Sequence, residues 1–580
     1  MSLKRAFSIT GRVPLKKSRT EVVVHSKIAT ADAAARVDAD PPFFQLLKAL
    51  RENNAINEQE GDSVIYWMRL EDMRIIDNRA LALASDRAQK LRIPLIVLFI
   101  ISPQDYKAHD RSPRRIDFAL RNLRVLKSSL ADLHIPLHII EHYPRHTLPH
   151  RVVSLALEWK STHIFANIEH EVDELRRDIV TLDLCHQSEL RCIFINDKCI
   201  VEPGRLKTKQ DTPYVVYSPW LKNWLPTLHE HPEYLLESPP PAPNSETIHK
   251  SPIFSVLFSS PVPDFVEGFV CLDKIKMEEL WPAGTDVALK VLQGFLHAKA
   301  RKSQIGDKSP FFDGVEDSTQ ASRIVRYAED RDRSDFDSTS RLSPYLSSGV
   351  ISARECIRQT LKLTGRQRVQ IGRMDGVGMW VQELAWRDFY THVIAAFPRV
   401  SMGRPFLEKF ANVRWETNEG HLQAWKDGKT GIPIVDAAMR QANTQGWMHN
   451  RCRMIVAMFL TKDLMLDWRL GEKYFMEILI DGDLASNNGG WQWSASTGVD
   501  PQPYFRIFNP LLQSEKADPS GDYIRYFVPE LQNLRGKVVY DPYNHMPKTE
   551  FLKLGYPEPI VVHKDVKGRA LRRYKNVGEL

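Results

Sequence analysis

The sequence predicts two folded units of different class: a parallel α/β domain, then a long linker, then a mostly helical domain. Three observations carry this. From Ser63 to Asn196 short β-branched runs alternate with helical patterns, which is the signature of a parallel sheet with both faces covered. From about Asp286 apolar positions recur at three- and four-residue spacing, a helical period. Between them, residues 237–263 are rich in proline and serine, including Ser238-Pro-Pro-Pro-Ala-Pro243; a surface linker explains this more simply than an SH3-type ligand. At 580 residues the chain also exceeds what one core can hold.

Taken in order, residues 1–60 read as a disordered basic extension. Lys4, Arg5, Arg12, Lys16, Lys17 and Arg19 all precede the first acidic residue. Split basic clusters suit nuclear import, and an acid-free, Arg- and Ser-containing start suits a mitochondrial transit peptide. Nuclear location is the first expectation, with mitochondrial targeting also possible. No secretory signal is expected, and no apolar run approaches the roughly 20 residues that span a bilayer. A net charge of +7 is compatible with nucleic-acid binding without requiring it. The six cysteines form no Cys-x-x-Cys pair and no zinc-ligand spacing, so reduced structural thiols and no metal are expected.

Within 61–200, Val64–Trp67, Pro94–Ile101, Ile135–Ile140, His163–Ala166 and Cys192–Asn196 read as strands. Asn78–Arg92, Arg114–Leu133, His150–Lys160 and Asp173–Leu184 read as helices. The first strand is followed by Arg69-Leu-Glu-Asp-Met-Arg74 where a nicotinamide-binding fold needs Gly-x-Gly-x-x-Gly, which disfavours an ordinary dark flavin or nicotinamide oxidoreductase. Residues 201–285 are assigned to the linker, 286–545 to the helical domain, and 546–580 to a basic tail. In the helical domain Val287–Lys302, Pro344–Leu363, Gly378–Phe397, Ile434–Gln445 and His449–Asp467 carry the helical period.

The chemistry-bearing stretches lie in this second half. Ser338-Thr-Ser-Arg-Leu-Ser343 places hydroxyls before a helix start, as a cap or an anion site would require. Tyr327 and the arginines that follow it add to the phosphate-facing reading. Glu383 and Trp386 share one helix face at i, i+3. In Trp447-Met-His-Asn-Arg-Cys-Arg-Met454, Asn450 shares a face with Arg453 and Met454 on an otherwise apolar helix, so these polar groups need partners or a ligand. Asp481 to Trp493 packs two carboxylates, two adjacent glycines and two tryptophans together. A tight Asn-Gly turn competes there with a site in which Gly489 and Gly490 let the backbone approach a flat ligand. Eight of the thirteen tryptophans lie between Trp380 and Trp493.

The phrase Tyr66-Trp-Met-Arg-Leu-Glu-Asp-Met-Arg-Ile-Ile-Asp-Asn78 resembles the opening of the photolyase/cryptochrome family. The blocks Thr339-Ser-Arg-Leu-Ser343, Glu383-Leu-Ala-Trp-Arg-Asp-Phe-Tyr390, Thr430 to Gln441, Gly446 to Arg451, Asp481 to Trp493 and Tyr504-Phe-Arg-Ile-Phe-Asn-Pro510 resemble the flavin domain of class I cyclobutane pyrimidine dimer photolyases. The resemblance implies a Rossmann-like antenna domain, a helical FAD-binding domain, and light-driven repair of dimers by electron transfer from reduced FAD. It assigns Tyr327, Thr339, Ser340, Leu342, Ser343, Arg453, Asp481, Asp483 and Asn487 to FAD. Glu383, Trp386, Asn450, Met454 and Trp493 go to a flipped-out lesion, with Glu383 and Asn487 catalytic, and Arg451 and Arg506 to the DNA backbone. Trp491, Trp468 and Trp415 become an electron-transfer chain to the flavin. Glu174 would contact a methenyltetrahydrofolate antenna, with 8-hydroxy-deazaflavin the alternative because Met402 stands where bacterial folate-type members carry Lys. Double- or single-stranded DNA carrying dimers is the expected partner, bound by a monomer away from any membrane. The rival from another class is a cryptochrome photoreceptor, or a protein that both repairs and signals. Asn at 487 and Asn450 after His449 favour dimer repair over a cryptochrome and over a (6-4) photolyase.

Overall fold

The computed structural model describes residues 28–53, 60–302, 321–372 and 374–578. The basic clusters at 4–5 and 16–19 lie outside these. The disorder expected through residue 60 does not extend over 31–53, which form helices α1 (Ala31–Ala39) and α2 (Pro42–Asn53). Phe43 and Leu46 of α2, one helical turn apart, are buried, so an apolar stripe fixes this segment against the α/β domain.

Five strands build one sheet: β1 (Ser63–Met68), β2 (Leu95–Ile101), β3 (Leu137–Glu141), β4 (Ser161–Asn167) and β5 (Arg191–Ile195). Their order is β3-β2-β1-β4-β5, with every neighbour parallel. Tyr66 of central β1 pairs with Val97 on one side and Phe165 on the other. β1 and β2 are buried at every position, which is why they read as continuous apolar runs instead of alternating ones. Helices α3 (Arg79–Leu91), α4 (Pro113–Ala131), α5 (Leu148–Glu158) and α6 (Val172–Gln187) make the connections. The Tyr66–Asn78 phrase is a structural clasp. Tyr66 Oη donates to Asp72 at 2.7 Å, Asn78 Nδ2 donates to Tyr66 Oη at 2.7 Å, and Asn78 Oδ1 caps α3 through the Leu81 N–H. Asp77 reaches the helical domain, pairing with Arg354 at 3.2 Å and Arg358 at 3.0 Å.

The 201–285 segment is more than a linker. It contains helix α7 (Tyr217–Glu230), whose Trp220 and Trp224 are fully buried. The proline-rich part runs along the sheet domain, where Asn244 exchanges two 2.9 Å hydrogen bonds with the backbone of Leu95.

In the helical domain the expected helices at 287–302, 378–397 and 434–445 are present as Thr285–His297, α8 (Gly376–Ala396) and α9 (Pro433–Gln445). The helix expected over 344–363 is two, Ser343–Ser347 and Ala353–Thr364. The chain turns at Gly349, φ 65°, where only glycine fits because the Glu71 carbonyl lies 1.9 Å from where a Cβ would stand. The helix expected over 449–467 is α10 (Asn450–Met458) followed by a π-helical turn, Phe459–Asp463. Helices α11 (Trp468–Ile478) and α12 (Leu484–Ala495) follow. The expected basic tail folds as well: in α13 (His563–Lys575) Ala570 and Tyr574 are buried, and Tyr574 packs edge-on against Trp415 at 6.1 Å. None of the six cysteines forms a disulfide. Among the described residues no helix is long and apolar enough to cross a membrane.

Candidate active site

Asp481 to Trp493 is a short turn, 481–483, followed by a helix from Leu484 onward. Asp483 caps α12 by accepting the Ser486 N–H at 2.8 Å, which starts a helix that carries Asn487, Trp491 and Trp493 despite its two glycines. Those glycines do different things. A Cβ on Gly489 would lie 2.3 Å from the Tyr390 ring, so this residue lets α12 close on α8; Gly490 faces open space in the cavity.

The cavity has two connected parts. One, about 270 Å³, is lined by Tyr327, Thr339, Ser340, Leu342, Ser343 and Glu383 among others. The second, about 160 Å³, is lined by Met454, Asn487, Gly490 and Trp491 among others. Asn450, Arg453, Asp481 and Asp483 line both. Every residue assigned to FAD from the sequence thus borders one continuous space, and α8, α10 and α12 supply its walls.

Electrostatics prepare this space for a polar ligand. Arg453 Nη2 pairs with Asp481 Oδ2 at 2.7 Å, leaving Asp481 Oδ1 buried with no protein partner. Thr339 Oγ1 is likewise buried without a partner. Orphaned buried oxygens are uncommon and expect a bound group. Asp483 pairs with Lys198 of the sheet domain at 2.9 Å, and Lys198 also donates to Glu71 at 2.7 Å. Burial alone would raise the Asp483 carboxyl, but the Lys198 and Arg387 charges hold it well below the usual range. Asn487 Nδ2 donates to the Glu472 carbonyl at 2.9 Å, which leaves Oδ1 as its free acceptor. A donor set of hydroxyls, one carboxylate–guanidinium pair and a neutral amide fits FAD.

Of the lesion residues Glu383, Asn450 and Met454 border the same space, whereas Trp386 does not line it. Glu383 and Trp386 project from α8, and Asn450 at the start of α10 is exposed at the rim. Sequence reading placed the arginines after Tyr327 on the phosphate side. Instead Arg331 ion-pairs with Glu383, and Arg451 with Asp332. Burial raises the Glu383 carboxyl, and Arg331 draws it back. Trp493 is half-buried and Arg506 fully exposed, outside the cavity lining.

Trp491 and Trp468 are buried in one hydrophobic cluster on which Trp415 packs. The aromatic rings nearest Trp491 are Phe475 at 5.0 Å and Trp425 at 6.0 Å. Gly471, one turn into α11 from Trp468, admits the Trp491 ring: a Cβ there would lie 2.1 Å from it. A glycine inside an amphipathic helix was the signal that could have found it.

In the α/β domain Glu174 is buried and pairs with His109 Nε2 at 3.1 Å. It lines a pocket of only about 50 Å³. The cleft between the domains, about 130 Å³, is lined by Glu171, Glu472, Lys473, Arg469 and Ile28, and His109 borders both spaces. Glu174 therefore reaches the interdomain cleft only through His109.

A parallel α/β domain clasped to a helical domain whose central cavity offers this donor set defines a flavin-binding protein of two-domain architecture. The comparisons with known proteins agree. A family model described as the FAD binding domain of DNA photolyase matches residues 380–576, and one described as DNA photolyase matches 64–244. The deoxyribodipyrimidine photo-lyase of Neurospora crassa is 42% identical, covering 92% of this chain and 85% of that protein. The Escherichia coli protein of the same name is 38% identical over 88% of this chain and 98% of its own. The structure of a bacterial class III photolyase from Agrobacterium tumefaciens superposes with a TM-score of 0.73 at 30% identity, covering 90% of this chain and 99% of that one. The chain belongs to the DNA photolyase family.

Proposed function

We infer that the protein is a deoxyribodipyrimidine photo-lyase, which opens cyclobutane pyrimidine dimers in DNA under light. The observation that carries this is the cavity at which the cofactor set, Trp491 and three of the lesion residues, Glu383, Asn450 and Met454, converge. Bound reduced FAD supplies, on excitation, one electron to the dimer and recovers it after the ring opens, so there is no net redox change. Thr339, Ser340 and Ser343 would hold the cofactor's phosphates, and the Arg453–Asp481 pair and Asn487 its ring. Asn487 can accept a hydrogen bond without adding charge, which suits a site that holds a reduced anionic ring. The dimer would leave the duplex to enter the cavity, stacking on Trp386 and Trp493 beside Met454. Glu383 and Asn450 would hydrogen-bond its carbonyl and imide edge, once the dimer displaces Arg331 from Glu383. Arg451 and Arg506 would hold the flanking phosphates, making affinity salt-dependent and nearly independent of sequence. Trp491, Trp468 and Trp415 would carry electrons inward to restore the reduced state. A methenyltetrahydrofolate antenna would sit in the interdomain cleft against Glu171 and His109, with Glu174 behind; a deazaflavin has less support, because the pocket inside the sheet domain is small and filled with paired charges. The acid-free basic clusters at 4–5 and 16–19 support delivery to the nucleus or mitochondrion.

Purified protein with reduced FAD, illuminated with a dimer-containing oligonucleotide, should restore the intact thymines, read by chromatography. Dimers that persist while flavin stays bound would instead support a photoreceptor.

A further inference from the structure

The tryptophan assigned to the lesion does not stand alone. Trp386 lies cofacially on Tyr217 of α7, with ring centroids 3.5 Å apart and planes 9° from parallel. Tyr217 is itself buried, 6% exposed, and its phenol is anchored by donating to the Gln382 carbonyl at 3.1 Å. Its backbone N–H donates to Asp500 at 3.1 Å. Asp500 lies in the loop that leaves α12 after Trp493 and leads to Arg506, so one residue ties α8 to that loop. Behind Tyr217 the stack continues through Trp220 to Trp224, at 6.0 Å in each step. Trp220 and Trp224 are fixed by donating to His392 and Asp388, each at 3.3 Å.

We propose that Tyr217 is a positioning residue for lesion recognition: it covers one face of Trp386 and fixes the indole so that the opposite face receives the flipped-out dimer. Stacking at 3.5 Å leaves no room for a base or water on the covered side. The indole is therefore oriented before DNA arrives, and less ordering remains to be done on binding. This rests on the reading of Trp386 as the lesion platform.

The test uses FAD-loaded full-length protein in the dark. Affinity is measured by anisotropy for an oligonucleotide with one thymine dimer and for the same sequence undamaged. Tyr217→Leu should weaken dimer binding about two- to tenfold, the range set by one aromatic pair. Affinity for undamaged DNA, flavin content and melting temperature should not follow. Tyr217→Phe, which keeps the ring and loses the hydroxyl, should restore dimer affinity. Trp386→Ala should also weaken it, and adding Tyr217→Leu should then cost nothing further, because the two rings act as one unit. Dimer affinity unchanged in Tyr217→Leu while Trp386→Ala loses it would overturn the proposal alone. Equal weakening on damaged and undamaged DNA would do the same. If Trp386→Ala itself keeps full dimer affinity, the platform reading falls and the proposal falls with it.

Discussion

The two domains each hold a buried, strongly polar pocket, and they treat it in opposite ways. In the α/β domain Arg69 pairs with Asp178 at 2.7 Å, Arg177 with Glu169 at 2.7 Å and His109 with Glu174 at 3.1 Å, while the Arg69 guanidinium lies 4.2 Å over Trp67. These charges answer one another and fill the space to about 50 Å³. In the helical domain the cavity is several times larger, and Asp481 Oδ1 and Thr339 Oγ1 are buried without partners. Both pockets keep some buried polar atoms without partners, Ser102 Oγ and Glu174 Oε2 among them in the α/β domain, so the difference lies in room: paired charges close one pocket, and the other stays open to a large ligand.

Four experiments press on this contrast. The largest effect is expected for Arg453→Ala, which leaves the Asp481 charge buried and unpaired and removes a cavity wall. FAD retained through gel filtration, read at its visible absorbance, should fall by about a hundredfold in affinity, on the roughly 3 kcal/mol scale of a broken buried pair. Full retention would contradict the assignment. Arg69→Met in the small, ion-paired pocket should cost a similar roughly 3 kcal/mol in denaturant unfolding yet leave FAD content untouched; coupled loss of flavin would blur the distinction.

Proton linkage gives the third. Burial opposes charge on His109, but the Glu174 and Glu171 carboxylates outweigh it and push the imidazole up to about 9. A folded-state value above the ordinary one means the stabilisation is fully present below about pH 6.5 and is lost as pH rises through about 9. Unfolding free energy should drop by on the order of 2 kcal/mol across that window, and His109→Gln should flatten the profile. The smallest effect is expected for Gly471→Ala. Its methyl would overlap the Trp491 ring, which should destabilise the protein by about 1–3 kcal/mol. Photoreduction of oxidised flavin, followed by absorbance, should slow, while repair by chemically reduced enzyme is kept. Equal loss of both would argue that Trp491 is only packing.

The cavity was legible because its residues sit in short local runs whose polar and aromatic content fits no core. Asp481, Asp483 and Asn487 lie within one helix start, and Thr339 to Ser343 are contiguous. What escaped depended on contacts between distant segments. Tyr217 gains its place only by meeting Trp386, and a stretch with proline on either side of α7 disguised it as linker. Arg331 looked phosphate-facing until Glu383 proved to be its neighbour. The N-terminal helices were missed although Phe43, Leu46, Leu47 and Leu50 carry a helical spacing, because the basic, acid-free start dominated the reading of that region. The central strands β1 and β2 were found because burial on both faces leaves an unmistakable apolar run.

Those N-terminal helices touch both domains in series. Asp38 of α1 pairs with Arg399 of the helical domain, and the Ala29 N–H donates to the Met402 carbonyl at 3.0 Å. A few residues on, the Phe43 ring packs against His170 of the sheet domain at 5.6 Å. The segment thus acts as a bivalent ligand built into the chain: once one end is seated, the other faces its site at a high effective concentration. Either contact can lapse and re-form while the Asp77 and Lys198 ion pairs still hold the domains together, so the segment adds avidity to an interface that the two domains already share.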